Sequence, residues 1–212
     1  TVEISKIKDL FQTIACLCPG LTIELHDNGK TEKFYSEHGL NDLVDNYVKD
    51  KEVISNRFNM TFAEGKNKLD MVITYTSNYS LNLIPYVNTG LTEKGPHITQ
   101  IKTVLTREFN KFFREKKWLK EKDENLTGDD IQEGMYIVFN ITAPNIAYDA
   151  QVKSTVTKID MAPWPKWHRL IDNILVKNYR RMQVRVLQGL FCMMCTSCIG
   201  VCSRFNSYDL HK

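Results

Sequence analysis

No cysteine lies between Cys18 and Cys192, so most of the chain has no material for a disulfide framework, and a cytoplasmic location is expected. No apolar signal core opens the sequence. TVEISKIKDLFQTIA begins without methionine, which predicts a piece that starts inside a larger protein. The Asn-x-Ser/Thr triplets at Asn59, Asn78, Asn125 and Asn140 are therefore read as chance matches. Charge of one sign is not in excess either: a formal net charge of +3 does not by itself call for a nucleic-acid partner. Long hydrophobic runs are missing too. Val186–Cys202, between Arg185 and Arg204, falls short of the ~20 residues that a spanning helix needs, and leaves open only a tilted or tail-anchored association.

What is present is ordinary globular material. Hydrophobic residues at 42% and charged residues at 25% suffice for a sizeable core, in one large domain or two small ones over 212 residues. The basic residues are clustered. Lys111, Arg114, Lys116, Lys117, Lys120 and Lys122 form one group and Lys177, Arg180, Arg181 and Arg185 another, each serving equally well as a solvated helix face or as phosphate contacts.

The apolar spacing of Ile4, Ile7, Leu10, Phe11, Ile14 and Ala15 predicts an amphipathic helix stopped by Pro19-Gly20. Alternation at Leu21, Ile23 and Leu25 predicts a strand, Asp27-Asn28-Gly29 a tight turn, and Leu40, Leu43, Val44 and Tyr47 a short helix with Asn41 as N-cap. Phe58–Phe62, Leu69–Tyr75 and a run from Tyr79 to Tyr86 read as a three-stranded antiparallel meander. Ile98–Leu119 predicts a long helix with Ile101, Val104, Leu105, Phe109, Phe112 and Phe113 as its buried stripe. Thr127–Ile131 caps a short helix, and Met135–Thr142 suggests a central strand, so that strand, helix and strand make a βαβ crossover. Pro144–Lys158 follows as a loop of small and polar residues that holds Gln151 and Lys153 out toward something anionic.

Four segments, Ile14–Ile23, Tyr86–His97, Thr127–Gly134 and Gln151–Lys153, taken in order, resemble the ATPase subunit of bacterial type II DNA topoisomerases, the gyrase B subunit and its relatives. Ile14–Ile23 is similar to that family's run A-F-L-N-P-G-L. Tyr86–His97 is similar to F-V-N-x-I-x-T-x-x-G-G-x-H, keeping Val87, Asn88, Thr92, Gly95 and His97. It departs in having Pro96 for the second glycine and one residue fewer before the histidine, and proline removes a donor and fixes φ. Thr127–Gly134 matches T-x-x-D-[IV]-x-E-G, and Gln151-Val152-Lys153 resembles the Gln-Thr-Lys loop that reaches a neighbouring nucleotide pocket. An exposed lysine alone needs no functional explanation; the ordered series is what singles out Lys153.

The resemblance implies an α+β fold. Residues 1–45 would end a GHKL ATP-binding domain. Residues 46–158 would form a transducer domain with a four-stranded mixed sheet, a βαβ crossover (left-handed in this family, against the usual preference) and helices on one face. Residues 159–212 would be an atypical linker helix and Cys-rich tail. The implied function is coupling of ATP binding and hydrolysis to DNA strand passage, in an enzyme of which this piece alone is inactive. By the same resemblance Lys153 is the catalytic residue, Gln151 and Lys153 are ATP-binding, and Asn88, Thr92, Gly95 and His97 support a loop. Lys111, Arg114, Lys116, Lys117 and Lys120 are the DNA-contact candidates. ATP and Mg2+ are the implied cofactors, with their other ligands outside this chain. The implied partners are double-stranded DNA, a DNA-cleaving gyrase A-like subunit, and a second copy through a preceding N-terminal region.

Two alternatives stay open. One is a GHKL ATPase of DNA mismatch repair. The other is an iron–sulfur or membrane-tethered protein defined by its tail, where Cys192, Cys195, Cys198 and Cys202 copy a ferredoxin-like spacing. The usual following proline and a second cysteine group are missing, so no metal site is expected, and the tail also reads as a non-native end.

Overall fold

The structure, a computed structural model, describes residues 3–117, 119–149 and 153–159. Helix α1 (Ile4–Leu17) buries Ala15, Cys16 and Leu17, whereas Ile4 and Leu10, expected on its inner face, are exposed. Strands β1 (Ile23–Asp27) and β2 (Lys30–Phe34) pair antiparallel across Asn28-Gly29, both at positive φ, as the tight turn requires. Helix α2 (Leu40–Val48) begins one residue before Asn41, so the expected N-cap is wrong. The cap is Gly39, and the capping side chains come from elsewhere. Ser36 Oγ accepts the Gly39 N–H at 2.8 Å and donates to the Asp42 carboxylate at 2.7 Å, which also accepts the His38 N–H at 3.1 Å.

Strands β3 (Phe58–Glu64), β4 (Asn67–Tyr75), β5 (Asn82–Val87), β6 (Gly90–Leu91) and β7 (Met135–Thr142) form one sheet in the order β3-β4-β7-β5-β6. The expected meander is therefore a hairpin, β3–β4, and a third strand set apart from it. β7 enters between them, antiparallel to β4 from Lys68↔Thr142 to Tyr75↔Met135 and parallel to β5 from Asn82↔Tyr136 to Val87↔Ile141. Tyr79 lies outside β5 and is 75% exposed. The parallel pairing requires a long connection, which helix α3 (Pro96–Glu115) supplies, giving the βαβ crossover. Pro96 stands at the first turn of α3, where the N–H it lacks would have no partner within the helix in any case. Helix α4 (Gly128–Gln132) starts on a capping box of Thr127 and Asp130.

The strand period of two divides the sheet's side chains between two cores. On one face Leu69, Met71, Ile73, Met135, Ile137 and Phe139 pack with Ile101, Leu105, Phe109, Phe112 and Phe113 of α3. On the other, Val72, Tyr86, Tyr136 and Val138 pack with Cys16, Leu43, Val44 and Val48. The sheet thus has five strands, the fifth only two residues long, and helices on both faces, with α1 and α2 covering the second. Tyr47 and Tyr86 hydroxyls share a 3.0 Å hydrogen bond across this second core, and Arg57 grips both the Asp45 carboxylate and, at 3.2 Å, the Asn41 carbonyl.

The stretch expected to be a loop is a hairpin. β8 (Ile146–Tyr148) pairs with β9 (Val156–Ile159), because Ile146, Tyr148, Val156 and Ile159 all find apolar partners in the α3-side core. Asp149 N–H donates to Thr155 O at 3.2 Å, which ties the two arms together at the tip end of the hairpin.

Candidate functional site

Lys153 sits on this tip, exposed, at a left-handed φ of 59°. Its Nζ lies 5.8 Å from the centre of the Tyr148 ring, within reach of a cation–π contact. Gln151 lies outside the described residues. The backbone after the lysine is not free: Glu93 N–H and Lys94 N–H both donate to Ser154 O, at 2.7 and 3.3 Å, and Val156 N–H donates to Lys94 O at 2.9 Å. The segment between β6 and α3 therefore forms a parallel bridge with the hairpin that carries Lys153.

Thr92, Gly95 and His97 lie beneath that bridge. Thr92 N–H and Oγ1–H both donate to Pro85 O, at 2.9 and 3.1 Å. Having donated its only proton, the Thr92 hydroxyl accepts from His97 Nε2–H at 2.9 Å. The network thus assigns the Nε2–H tautomer and leaves Nδ1, buried and without a hydrogen-bond partner, as a bare acceptor. His97 is fully buried, edge-on to Phe139, and burial pulls its pKa down to about 4, so the ring is neutral at pH 7. Gly95 separates the ring from the hairpin. A Cβ there would stand 2.7 Å from both His97 Nδ1 and Val156 O, and the residue's φ of 149° suits glycine alone.

Asn88 meets the other end of the hairpin. Its Nδ2 donates to Ala143 O and its Oδ1 accepts from Ala143 N–H, each at 3.0 Å, and its own N–H donates to Ile141 O at 2.8 Å. The four residues named from the 88–97 motif and the lysine named from a stretch over fifty residues later thus belong to one bonded unit. Tyr148 and the 93–94 backbone were missed in the sequence. Nothing in a one-dimensional pattern marks a main-chain bridge, although the alternation of Ile146 and Tyr148 was a signal for β8.

The basic candidates are not brought together as a set. Lys111 and Arg114 line a groove of about 610 Å³ beside α3, with Lys102, Arg107 and Gln132, whereas Lys116, Lys117 and Lys120 do not line it. Arg114 is committed to the chain itself: its guanidinium donates to Lys120 O at 2.7 Å, Asp123 O at 2.9 Å and Asn125 Oδ1 at 2.6 Å. Lys111 pairs with Glu115 at 3.7 Å, and Lys116 Nζ lies 5.6 Å from the centre of the Phe112 ring. Lys102 and Arg107, which belong to this groove, were not picked out as DNA-contact candidates because they precede the dense lysine run. Among the described residues no group of His, Cys, Asp and Glu could hold a metal ion, and no helix is long and apolar enough to cross a membrane. The four tail cysteines lie outside the described residues.

Comparison with known proteins gives the same parentage by independent routes. The chain is 32% identical to the B subunit of DNA topoisomerase 4 from Bacillus subtilis over 158 residues, 72% of this chain and 24% of that protein. It is 31% identical to the DNA gyrase B subunit of Enterococcus faecalis over 160 residues, 72% of this chain and 25% of that protein. It thus spans about a quarter of the length of these relatives. The fold is similar to the crystal structure of the 43K ATPase domain of Thermus thermophilus gyrase B in complex with an aminocoumarin, with a TM-score of 0.67 at 22% identity, over 84% of this chain and 50% of that one. The family model for DNA gyrase B matches residues 39–181, and the chain belongs to that family of type IIA topoisomerase B subunits.

Proposed function

We propose that this chain is the transducer region of the ATP-hydrolysing subunit of a type II DNA topoisomerase, with residues 1–45 as the end of the ATP-binding domain, 46–158 as the transducer and 159–212 as its exit. The observation that carries the reading is the mounting of Lys153: an exposed ammonium on a hairpin tip whose two ends are bonded to the motif at 88–97. Such a group suits contact with a nucleotide's terminal phosphate, where a cation stabilises charge that develops as the bond breaks. ATP is then the substrate, bound with Mg2+ by residues outside this chain. Gln151 would hydrogen-bond the same phosphate, and Asn88, Thr92, Gly95 and His97 would hold the loop in place.

Lys102, Arg107 and Lys111, on the groove beside α3, would contact the phosphates of a captured double-stranded DNA segment without reading its bases. Arg114, Lys116, Lys117 and Lys120 are the other cations that the sequence offers for this work. Of these, Arg114 is better understood as a brace for residues 120–125. A second copy and a DNA-cleaving gyrase A-like subunit complete the working assembly, in the cytoplasm.

The test grafts residues 1–158 behind the ATP-binding portion of the Bacillus subtilis relative and measures DNA-stimulated ATP turnover. Lys153→Ala should lower kcat by about a hundredfold, the scale of losing one transition-state contact. Unchanged turnover would remove Lys153 from the reaction.

A further inference from the structure

Five non-glycine residues among those described have positive φ, and three of them, Asn88, Thr89 and Lys153, belong to this one bonded unit. Asn88 and Thr89, at φ 48° and 65°, are the two central residues of the turn between β5 and β6. Both positions of a turn with this twist need positive φ, which asparagine tolerates and a β-branched threonine resists. The chain keeps this arrangement even though Gly90 follows directly. Strained backbone of this kind persists where its surroundings over-determine it. Here the surroundings are specific. Asn140 Oδ1 accepts the Thr89 N–H at 3.4 Å, Ile141 O accepts the Asn88 N–H, and the Asn88 amide takes both main-chain groups of Ala143. Ala143 is the last residue before Pro144, where the chain leaves the sheet for the hairpin. One side chain therefore fixes both peptide groups that set the hairpin's direction.

We infer that Asn88 is a positioning residue for Lys153, aiming the β8–β9 hairpin from its first residue while the 93–94 bridge holds it beyond the lysine. The consequence for nucleotide sensing rests on the reading of Lys153 given above; the mechanical link does not. With the aim lost, Lys153 would meet its phosphate less often, although the fold survives.

The 212-residue chain is tested without nucleotide by amide hydrogen exchange and by the ring-current shift that Tyr148 imposes on the Lys153 side-chain protons. Asn88→Ala should raise exchange at Asp149 and Val156 about tenfold, as expected for two lost hydrogen bonds, and should abolish the Lys153 shift. Val72 and Val138 in the β4–β7 ladder should keep their protection. Asn88→Asp retains an acceptor for Ala143 N–H and should give a smaller change of the same pattern; it carries the test alone if the alanine variant does not fold. A uniform rise across the ladder, or no change at the tip, overturns the inference. Because no nucleotide is present, that outcome leaves the phosphate contact of Lys153 to be judged by turnover, and a Lys153→Ala enzyme with full turnover leaves this result standing.

Discussion

Gly95→Ala tests whether the junction between the 88–97 motif and the hairpin is as tight as its geometry. The added Cβ meets three atoms at 2.7 Å: two of the His97 ring and the carbonyl oxygen of Val156. None can move freely, since the ring is fully buried and the carbonyl belongs to β9. Overpacking of this sort costs about 1–3 kcal/mol. The backbone at φ 149° and ψ 168° adds about 1–3 kcal/mol for a residue with a side chain. The sum, about 2–6 kcal/mol, is a large part of the ~5–15 kcal/mol that stabilises a typical domain. Gly65→Ala is the control. Gly65 also has positive φ, 59°, but nothing lies within 4 Å of its Cβ position, so only a backbone cost of about 1–2 kcal/mol applies. Urea unfolding of the 212-residue chain measures both, with a constant m-value as the check that the transition is the same one. Equal losses for the two variants would show that hairpin and helix start do not press on Gly95, and the bonded unit would fail with that result.

Two further outcomes follow from the same contacts. His97 has a folded pKa of about 4 against about 6.5 unfolded. The unfolded chain therefore binds more protons between those values, and stability rises with pH across that window. The contribution, on the order of 3 kcal/mol, is complete above pH 6.5 and lost as pH falls toward 4. His97→Phe should flatten that slope in unfolding curves taken from pH 4 to 7, and an unaltered slope would assign it to other groups. Arg114→Ala removes the bonds to Lys120 O, Asp123 O and Asn125 Oδ1. It should cost about 1–2 kcal/mol and speed tryptic cleavage at Lys120 and Lys122, whereas an unchanged digestion rate would restore Arg114 to the pool of DNA contacts.

The periodic elements were legible because burial imposes its period on the side chains. The stripe Ile101, Leu105, Phe109, Phe112 and Phe113 marked α3, and the uncharged run Met135–Thr142 marked a strand covered on both faces. The α+β class and the crossover followed from their order. Strand neighbours were not legible. The alternation in Leu69–Tyr75 says which side chains share a face, but not which strand takes the free edge, and β7 is brought there only after the whole of α3 has intervened. The cap of α2 was misread for a related reason. Asn41 has the right residue type two positions late, and the groups that do the work, Ser36 and Asp42, converge only because Gly39 turns the chain.

At the site, residue types were legible and their partners were not. Asn88, Gly95 and His97 could be singled out from a motif, yet what each does depends on Ala143, Val156 and Thr92 in turn, and two of these lie more than fifty residues away. Ala143 and Val156 enter through main-chain atoms, which any residue type would supply, so the sequence cannot mark them. The lysine cluster failed in the opposite way. It was conspicuous as a run of charge, but α3 ends at Glu115, so of the named five only Lys111 and Arg114 stand on the helix, and these two line the groove where Lys102 and Arg107 already stand. Of those two, Arg114 spends its donors on the 120–125 backbone. Charge density along the chain is thus a poor guide to charge density in space, and the groove's cations are read only after α3 has been wound and its inward face subtracted.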